Sequence, residues 1–432
     1  MTLDDAKTRL RDRSITATHI GALALCILIA AIDGFDLLTM ALVAPDISKE
    51  LALGPVALGS LFSWGLGGAF FGTLLLSPLA DIYGRRFNII LSILILAAGM
   101  LIGGFSSSLA PLAFGRFITG AGFGAMLSSI STLVVEYAPA KARETALGCV
   151  VVGGPIGGFL GSLATIPISA HFGWRGVFFF GAIISLLAVP LALAALPESL
   201  EFLFRKRSHR LGAINRELAR FGIPPIDRPV APPAKAGVGS GLLAGRVRRA
   251  ICVMGAVFCF FHIAFYFISN WATKIASELG LSTVAAINVS TALSLGSGVG
   301  AVCAGIPVRL WGRRRGVVVA LVGFAVMLSA YGLVPPGPYS LFLCAFLIGL
   351  CMYASSVILY SIMLTGLPAE VRATATGLTL AIGRIGAVIG PYLGGVLLAS
   401  GAGKPATCII LALPILVAIA LIALFARDAE PA

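Results

Sequence analysis

Charge is what this chain has least of. Asp, Glu, Lys and Arg make up 11% of its 432 residues, against about 25% in an ordinary soluble domain. Only 18 residues are acids, and there are four histidines. No His/Cys/Asp constellation points to hydrolysis or redox chemistry, so no enzyme is expected and no metal site is predicted. The eight cysteines (Cys26, Cys149, Cys252, Cys259, Cys303, Cys344, Cys351 and Cys408) contain no CxxC pair or metal-ligand spacing. They read as small apolar fillers. A glycine-rich phosphate loop is missing, which leaves ATP drive without a site. Strand-like alternation of apolar and polar residues is also missing, which argues against a β-barrel. The N-terminus carries Asp4, Asp5, Lys7, Arg9, Arg11 and Arg13, with no small-residue cleavage site before a short apolar core. No cleaved signal peptide is expected.

Apolar residues take the place of charge. They make up 58% of the chain, and the mean hydropathy is +1.01. No soluble domain of this size hides that much apolar surface. Twelve continuous runs are long enough to span a bilayer, at 20–44, 56–79, 87–107, 110–135, 144–169, 174–196, 250–272, 284–306, 315–335, 339–364, 373–399 and 405–426. The 52 glycines suit close helix packing in lipid. An all-α membrane protein is predicted.

The net charge of +13 is a matter of topology rather than of nucleic-acid binding. With the N-terminus in the cytoplasm, 25 of the 31 Lys and Arg fall in cytoplasmic segments. Only Lys49, Arg175, Lys274 and Lys404 fall outside, and Arg116 and Arg384 lie deep within runs, away from their edges. This positive-inside pattern predicts a multi-pass protein with both termini cytoplasmic.

The chain divides into a first bundle (1–196), a cytoplasmic linker (197–249) and a second bundle (250–432). The linker is basic, becomes Pro-rich from Ile223 to Pro233, and has helical Leu and Phe spacing from Ser199 to Phe221. An amphipathic surface helix is expected there. The bundles repeat. The segment Ala138 to Gly148 aligns without gaps on Leu367 to Gly377, and Ser77 to Arg86 aligns on Gly305 to Arg314, at offsets of 229 and 228. A parallel six-plus-six duplication follows, with a substrate site at the midplane between halves.

Apart from Glu144 at the first residue of the fifth run, Asp33 and Asp36 are the only acids within the twelve runs, and they share a helix face. A charge at bilayer depth costs roughly 2.5–3.5 kcal/mol. Such a pair lines a polar cavity, meets a cation or exchanges protons. The counter-charges within spans are Arg116 and Arg384, whose planar forks suit a carboxylate. One of them neutralises a first-span aspartate, leaving the other for an anionic ligand, and Arg384 is the better ligand candidate. Tyr266 and Asn270 share a face of the seventh run, Tyr353 lies in the tenth, and Ser128 lies in the fourth. These are candidate ligand contacts, because polar tips in a span need partners. His262 reads as a packing or hydrogen-bonded residue. Asp81, Arg85, Arg86, Glu136, Arg143, Glu370 and Arg372 sit at cytoplasmic span ends and read as gate and latch residues, with Glu198 beside them. Asp81 could cap a helix or pair with a facing Arg.

The loop Leu79-Ala80-Asp81-Ile82-Tyr83-Gly84-Arg85-Arg86 resembles the signature of the major facilitator superfamily between spans 2 and 3. Further stretches resemble the aromatic acid:proton symporters of that superfamily. These are Asp33-Gly34-Phe35-Asp36, Gly115 to Gly122, Pro197-Glu198-Ser199, Tyr266 to Trp271, and Ile382 to Gly386 followed by Gly390-Pro391. The resemblance implies twelve transmembrane helices in two six-helix bundles and import of a small benzoate- or hydroxybenzoate-like carboxylate. Protons would be the coupling ion, with no other cofactor, in a bacterial inner membrane and as a monomer. Three departures stand out. Arg309 replaces the usual acid in the second loop copy, Ser77 replaces a glycine, and Leu127-Ser128-Ser129 stands where Pro and Asn are common. A proton-driven drug antiporter, which Gly154-Pro155 would suit, and a symporter for a sugar acid or other organic anion are the alternatives.

Overall fold

The computed structural model describes residues 16–139, 142–206, 210–226, 245–365 and 372–427, together with Asp5 and Thr8. Among these residues the regular structure is entirely helical, as expected where backbone N–H and C=O groups must be satisfied within the segment. Eleven helices are long and apolar enough to cross a membrane. One of them, Arg143–Ala195, has 53 residues. At 1.5 Å per residue it would reach about 80 Å, far beyond a hydrocarbon core of about 30 Å. It breaks at Gly173, where φ is 65° and ψ −176°, into α5 (143–172) and α6 (174–195). Twelve spans result, matching the twelve apolar runs.

The remaining spans are α1 (Ala17–Glu50), α2 (Pro55–Leu75), α3 (Arg85–Phe105), α4 (Leu109–Tyr137), α7 (Gly245–Glu278), α8 (Thr283–Cys303), α9 (Gly305–Leu333), α10 (Pro338–Thr365), α11 (Arg372–Ala399) and α12 (Gly403–Arg427). Several outrun their apolar stretch. Both α1 and α7 have 34 residues, about 51 Å of helix, so Asp46, Lys49 and Glu50 ride on the overhanging end of α1. The surface helix expected from Ser199 to Phe221 is two short helices, Leu200–Lys206 and Leu211–Arg220. Phe202, Leu203, Phe204, Ile214 and Leu218 are buried there. The Pro-rich stretch lies mostly outside the described residues.

The duplication read from two short alignments extends to the packing. α1 packs on α5 as α7 packs on α11, α2 on α4 as α8 on α10, and α3 on α4 as α9 on α10. The aligned glycines Gly84 and Gly312 both have positive φ, 114° and 78°, and break the chain at the same place in each half. The halves meet along α2–α11 and α5–α8, with α1 against α7.

Among the described residues these seams are closed at one end, the end away from the linker. A Cβ on Gly395 would lie 2.5 Å from the Pro55 carbonyl oxygen, and one on Gly59 would lie 2.8 Å from that of Pro391. Only glycine lets α2 and α11 approach this closely. Trp271 is fully buried. Its Nε1 donates to the Pro391 carbonyl at 2.9 Å, and its ring meets Phe62 edge-on at 5.5 Å. Lys274 Nζ donates to Ser48 Oγ at 3.0 Å and ties α7 to α1. At the linker end, a Cβ on Gly148 of α5 or on Gly377 of α11 would meet nothing within 4 Å.

Gly395→Val should therefore open the closed end, whereas Gly377→Val should not. Labelling of a Ser48→Cys reporter by a water-soluble maleimide, with the eight native cysteines replaced, should rise several-fold in the first variant only. Equal labelling in the two variants would show that the glycine contact does not hold this end together.

Candidate functional site

α1 carries Asp33 and Asp36 through the middle of the first bundle. Their spacing of three turns both carboxylates to one interior face, where they are 5% and 1% exposed. They line a cleft with Arg116 and Thr119 of α4, Phe62 of α2 and Asn270 of α7. The second half thus contributes directly. The enclosed room is about 10 Å³, enough for about one water. Arg116 is 4% exposed, and its Nη1 donates to the Asp36 backbone carbonyl at 3.3 Å. Its charge bears on the Asp36 carboxylate, and Ser185 of α6 lies beside that carboxylate while donating to the Gly181 carbonyl at 2.7 Å. By bonding geometry, Asp33 Oδ1, both carboxylate oxygens of Asp36 and Arg116 Nε have no hydrogen-bond partner. Buried ionisable groups left this way are costly.

Arg384 approaches from α11. Its Nη1 donates across the seam to the Ala69 carbonyl of α2, and its guanidinium stands 5.9 Å from the centroid of the Phe123 ring on α4. Its charge acts on Asp33, Tyr266 and Tyr360. Among the described residues no ion pair joins these four groups: Arg116 meets Asp36 at its backbone carbonyl, and Arg384 bears on Asp33 through its charge. Beside Arg384 runs an aromatic wall from α7 and α10. Tyr266 lies 5.5 Å from His262 and 5.0 Å from Phe265, and Phe265 lies 5.6 Å from Tyr353. His262 Nδ1 pairs with the Gly383 carbonyl at 3.0 Å, one residue before Arg384. Asn270 Nδ2 donates to the Tyr266 carbonyl at 2.8 Å.

The fold thus gathers Asp33, Asp36, Arg116 and Asn270 into one cleft, with Arg384 and Tyr266 at its edge and Tyr353 behind Phe265. Ser128 does not join them. It is exposed, and its hydroxyl donates to Ser77 Oγ and to the Ala125 carbonyl, each at 3.2 Å. One residue is about 100° of helix, so Ser129 turns inward instead. Its Oγ accepts from Asn88 Nδ2 at 2.9 Å. Ser128, expected as a ligand contact, thus stands outside the cleft that Asp33, Asp36 and Arg116 line. Thr119 and Phe123 escaped the sequence reading, although Thr119 stands three residues after Arg116 and a face count would have found it. Phe62 and Phe123 could not be told from the other phenylalanines, 26 in all.

The residues expected to gate lie at the linker end. Asp81 pairs with Arg85 at 2.6 Å on the surface, where such a pair contributes little. Asp81 does not cap α3. Glu198 does, its Oε1 accepting from the backbone N–H groups of Arg85 (2.8 Å), Arg86 (3.2 Å) and Ser199 (2.8 Å), where the helix dipole favours an anion. Gly84 is required there, because its φ is 114° and a Cβ would lie 2.3 Å from Glu198 Oε2. Glu136 accepts from Ser199 Oγ at 2.9 Å and from the Leu200 N–H at 3.1 Å, holding the first linker helix. The Tyr137 hydroxyl donates to the Glu198 carbonyl, and its ring stacks on Phe221 at 4.3 Å. Arg86 donates to the Leu193 carbonyl as Arg314 does to that of Ala423. Arg143 opens α5; Glu370 and the Arg372 side chain lie outside the described residues. Burial pushes the carboxyls of Glu198 and Glu217 above the usual range. Backbone N–H bonds oppose this at Glu198, and Arg220 opposes it at Glu217.

The family model of the Major Facilitator Superfamily matches residues 23–287 and 253–432. A 3-(3-hydroxy-phenyl)propionate transporter of Escherichia coli (strain K12) is 31% identical over 386 residues, covering 88% of this chain and 87% of that protein. A gallate transporter of Pseudomonas putida is 27% identical over 424 residues, covering 95% and 92%. Among solved structures, the xylose transporter XylE from E. coli, in a partially occluded inward open conformation, matches with a TM-score of 0.74 at 16% identity over 96% of this chain and 98% of that one.

Two outcomes follow from the linker-end cluster. Gly312→Ala meets positive φ but open space and should cost about 1–2 kcal/mol. Gly84→Ala adds a clash with Glu198 and should lower the thermal midpoint in detergent further; equal losses would argue against the Glu198 cap. The folded state binds the Glu217 proton more tightly than the unfolded chain does, whose glutamates titrate near about 4.3. Stability from this group is complete below that pH and is lost as pH rises through the raised folded value. Glu217→Gln should flatten the fall in thermal midpoint measured from about pH 4.5 to neutrality.

Proposed function

The chain belongs to the Major Facilitator Superfamily, and from that membership we propose that it imports a small aromatic carboxylate together with protons, by alternating access. It is a multi-pass membrane protein and a transporter, not an enzyme. The observation that carries the proposal is the meeting of two aspartates and two arginines beside an aromatic wall, where the two halves join. Relatives named for hydroxyphenylpropionate and gallate transport support this substrate class, since both ligands pair a ring with a carboxylate.

The roles divide by how each arginine is held. Arg116 is buried beside Asp36 and serves the coupling site. Arg384 donates only to a neutral carbonyl among its described hydrogen bonds and can exchange it for a ligand carboxylate, to which the guanidinium offers two parallel donors. Tyr266, with Phe62 and Phe123, would flank the ring, and Asn270 would set its register. With room for about one water in the cleft, loading needs the α2–α11 seam to part at Ala69. Proton uptake on Asp33 or Asp36 neutralises one member of the four-charge group and lets its arginine move. That lowers the cost of reorienting the halves. Reorientation would break Lys274–Ser48 and the Gly59–Gly395 contact and close the linker end over Asp81, Arg85, Arg86 and Arg143.

Lys and Arg crowd the linker side, which we assign to the cytoplasm of a bacterial inner membrane. The described conformation then faces inward, with both termini cytoplasmic.

The test is uptake into proteoliposomes with a panel of benzoate, hydroxybenzoates, 3-hydroxyphenylpropionate, gallate and sugar acids. An inward proton gradient should drive accumulation of an aromatic acid; expulsion would establish an antiporter instead. Asp36→Asn should abolish uphill accumulation, and survival of it in both Asp33→Asn and Asp36→Asn would refute proton coupling here. Arg384→Ala should weaken ligand binding by a charged hydrogen bond's worth, about 1.5–3 kcal/mol or roughly 10- to 150-fold. Arg384→Lys should recover only part, because an ammonium lacks the fork.

A further inference from the structure

The two copies of the glycine-broken junction differ in charge balance. In the first copy, Arg85 pairs with Asp81, and Glu198 sits on the backbone of Arg85 and Arg86. In the second, Arg309 stands where Asp81 does, followed by Arg313, Arg314 and Arg315. All four are exposed, and among the described residues none makes an ion pair. Arg313 donates to Thr365 Oγ1 at 3.1 Å and Arg314 to the Ala423 carbonyl at 2.8 Å, which leaves most of their N–H groups outward.

We propose that this junction holds the headgroup of an anionic phospholipid. Trp311, Arg314 and Arg315 line a groove of about 510 Å³ whose floor is Val318 and Val319. Trp311 is half exposed at the end of the span, the level at which indole rings anchor to the interface. Exposed apolar residues continue away from the groove on both sides. Val302, Ile306 and Leu310 lie along the α8–α9 corner, and Val319, Val322 and Val326 along α9. Each set has helical spacing and forms one stripe facing the hydrocarbon. A phosphate over an acyl chain fits both parts, guanidinium above and valine below. A soluble anion would use only the first. The charge reversal at Arg309 restricts the site to the second half, because the matching surface of the first half carries acids. The proposal does not depend on which solute is carried.

The full-length protein in detergent would be mixed with equal palmitoyl-oleoyl phosphatidylglycerol and phosphatidylcholine, and the retained lipid read by native mass spectrometry. Wild type should keep the anionic lipid at least fivefold over the zwitterionic one. Arg315→Gln and Trp311→Ala should each reduce that excess several-fold. Arg210→Gln/Arg216→Gln, which removes two exposed linker charges, should leave it. Trp311→Ala decides the matter if Arg315→Gln is not monodisperse. The site is overturned by equal retention of both lipids, by an equal drop in the linker variant, by no change in Arg315→Gln and Trp311→Ala, or by displacement with millimolar inorganic phosphate. It is likewise overturned if retention appears only in Asp428→Asn/Glu430→Gln. Those acids lie outside the described residues, and that result would mean the chain neutralises its own patch.

Discussion

Four charges at the midplane govern this molecule. In a chain that is 58% hydrophobic, Asp33, Asp36, Arg116 and Arg384 stand where water is scarce and charge is expensive. They can be kept there only together. Arg116 comes from the same half as Asp36 and bonds its backbone carbonyl, and Arg384 crosses from the other half to the Ala69 carbonyl, where its charge bears on Asp33. One arginine therefore stabilises a bundle, and the other couples two bundles. Changing the charge of a single carboxyl would change the balance across the seam, as the proposed proton coupling needs.

The rest of the fold lets that balance move something. Backbone contact at Gly59 and Gly395, with Trp271 behind it, closes one end of the seam. Packed cores are bistable rather than continuously deformable, which suits the rocking of the halves proposed above. At the other end, Glu198 and Glu136 tie the linker helices to α3 and α4. The first bundle and its linker then turn as one body.

Much of this was legible in the residues. Span number, duplication and the identity of the charged residues followed from hydrophobic run length, alignment of two short segments and a count of charges. Placement of α1 at Asp33 and Asp36 needed only the helical period. Ser128 shows the limit. The choice between Ser128 and Ser129 depends on which face of α4 looks inward, and the polar residues of α4, from Arg116 and Thr119 to Ser128, Ser129, Ser131 and Thr132, are spread around it. In lipid the outer face of a helix is as apolar as the inner one, so the periodicity that orients a helix in a soluble protein is silent here. Glu198 as the cap of α3 was hidden for another reason. Its partners lie more than a hundred residues away in sequence, and no local pattern marks them.

By itself, the sequence determined that this is a twelve-span, twice-repeated membrane protein with a small set of intramembrane charges, because run length, repetition and charge are properties of the chain. Only the tertiary structure decided which arginine faces which aspartate, which end of the seam is shut, and which of two adjacent serines turns inward. Those depend on helix rotation and on contacts between distant segments, and in a chain this uniformly apolar neither is written in the order of residues.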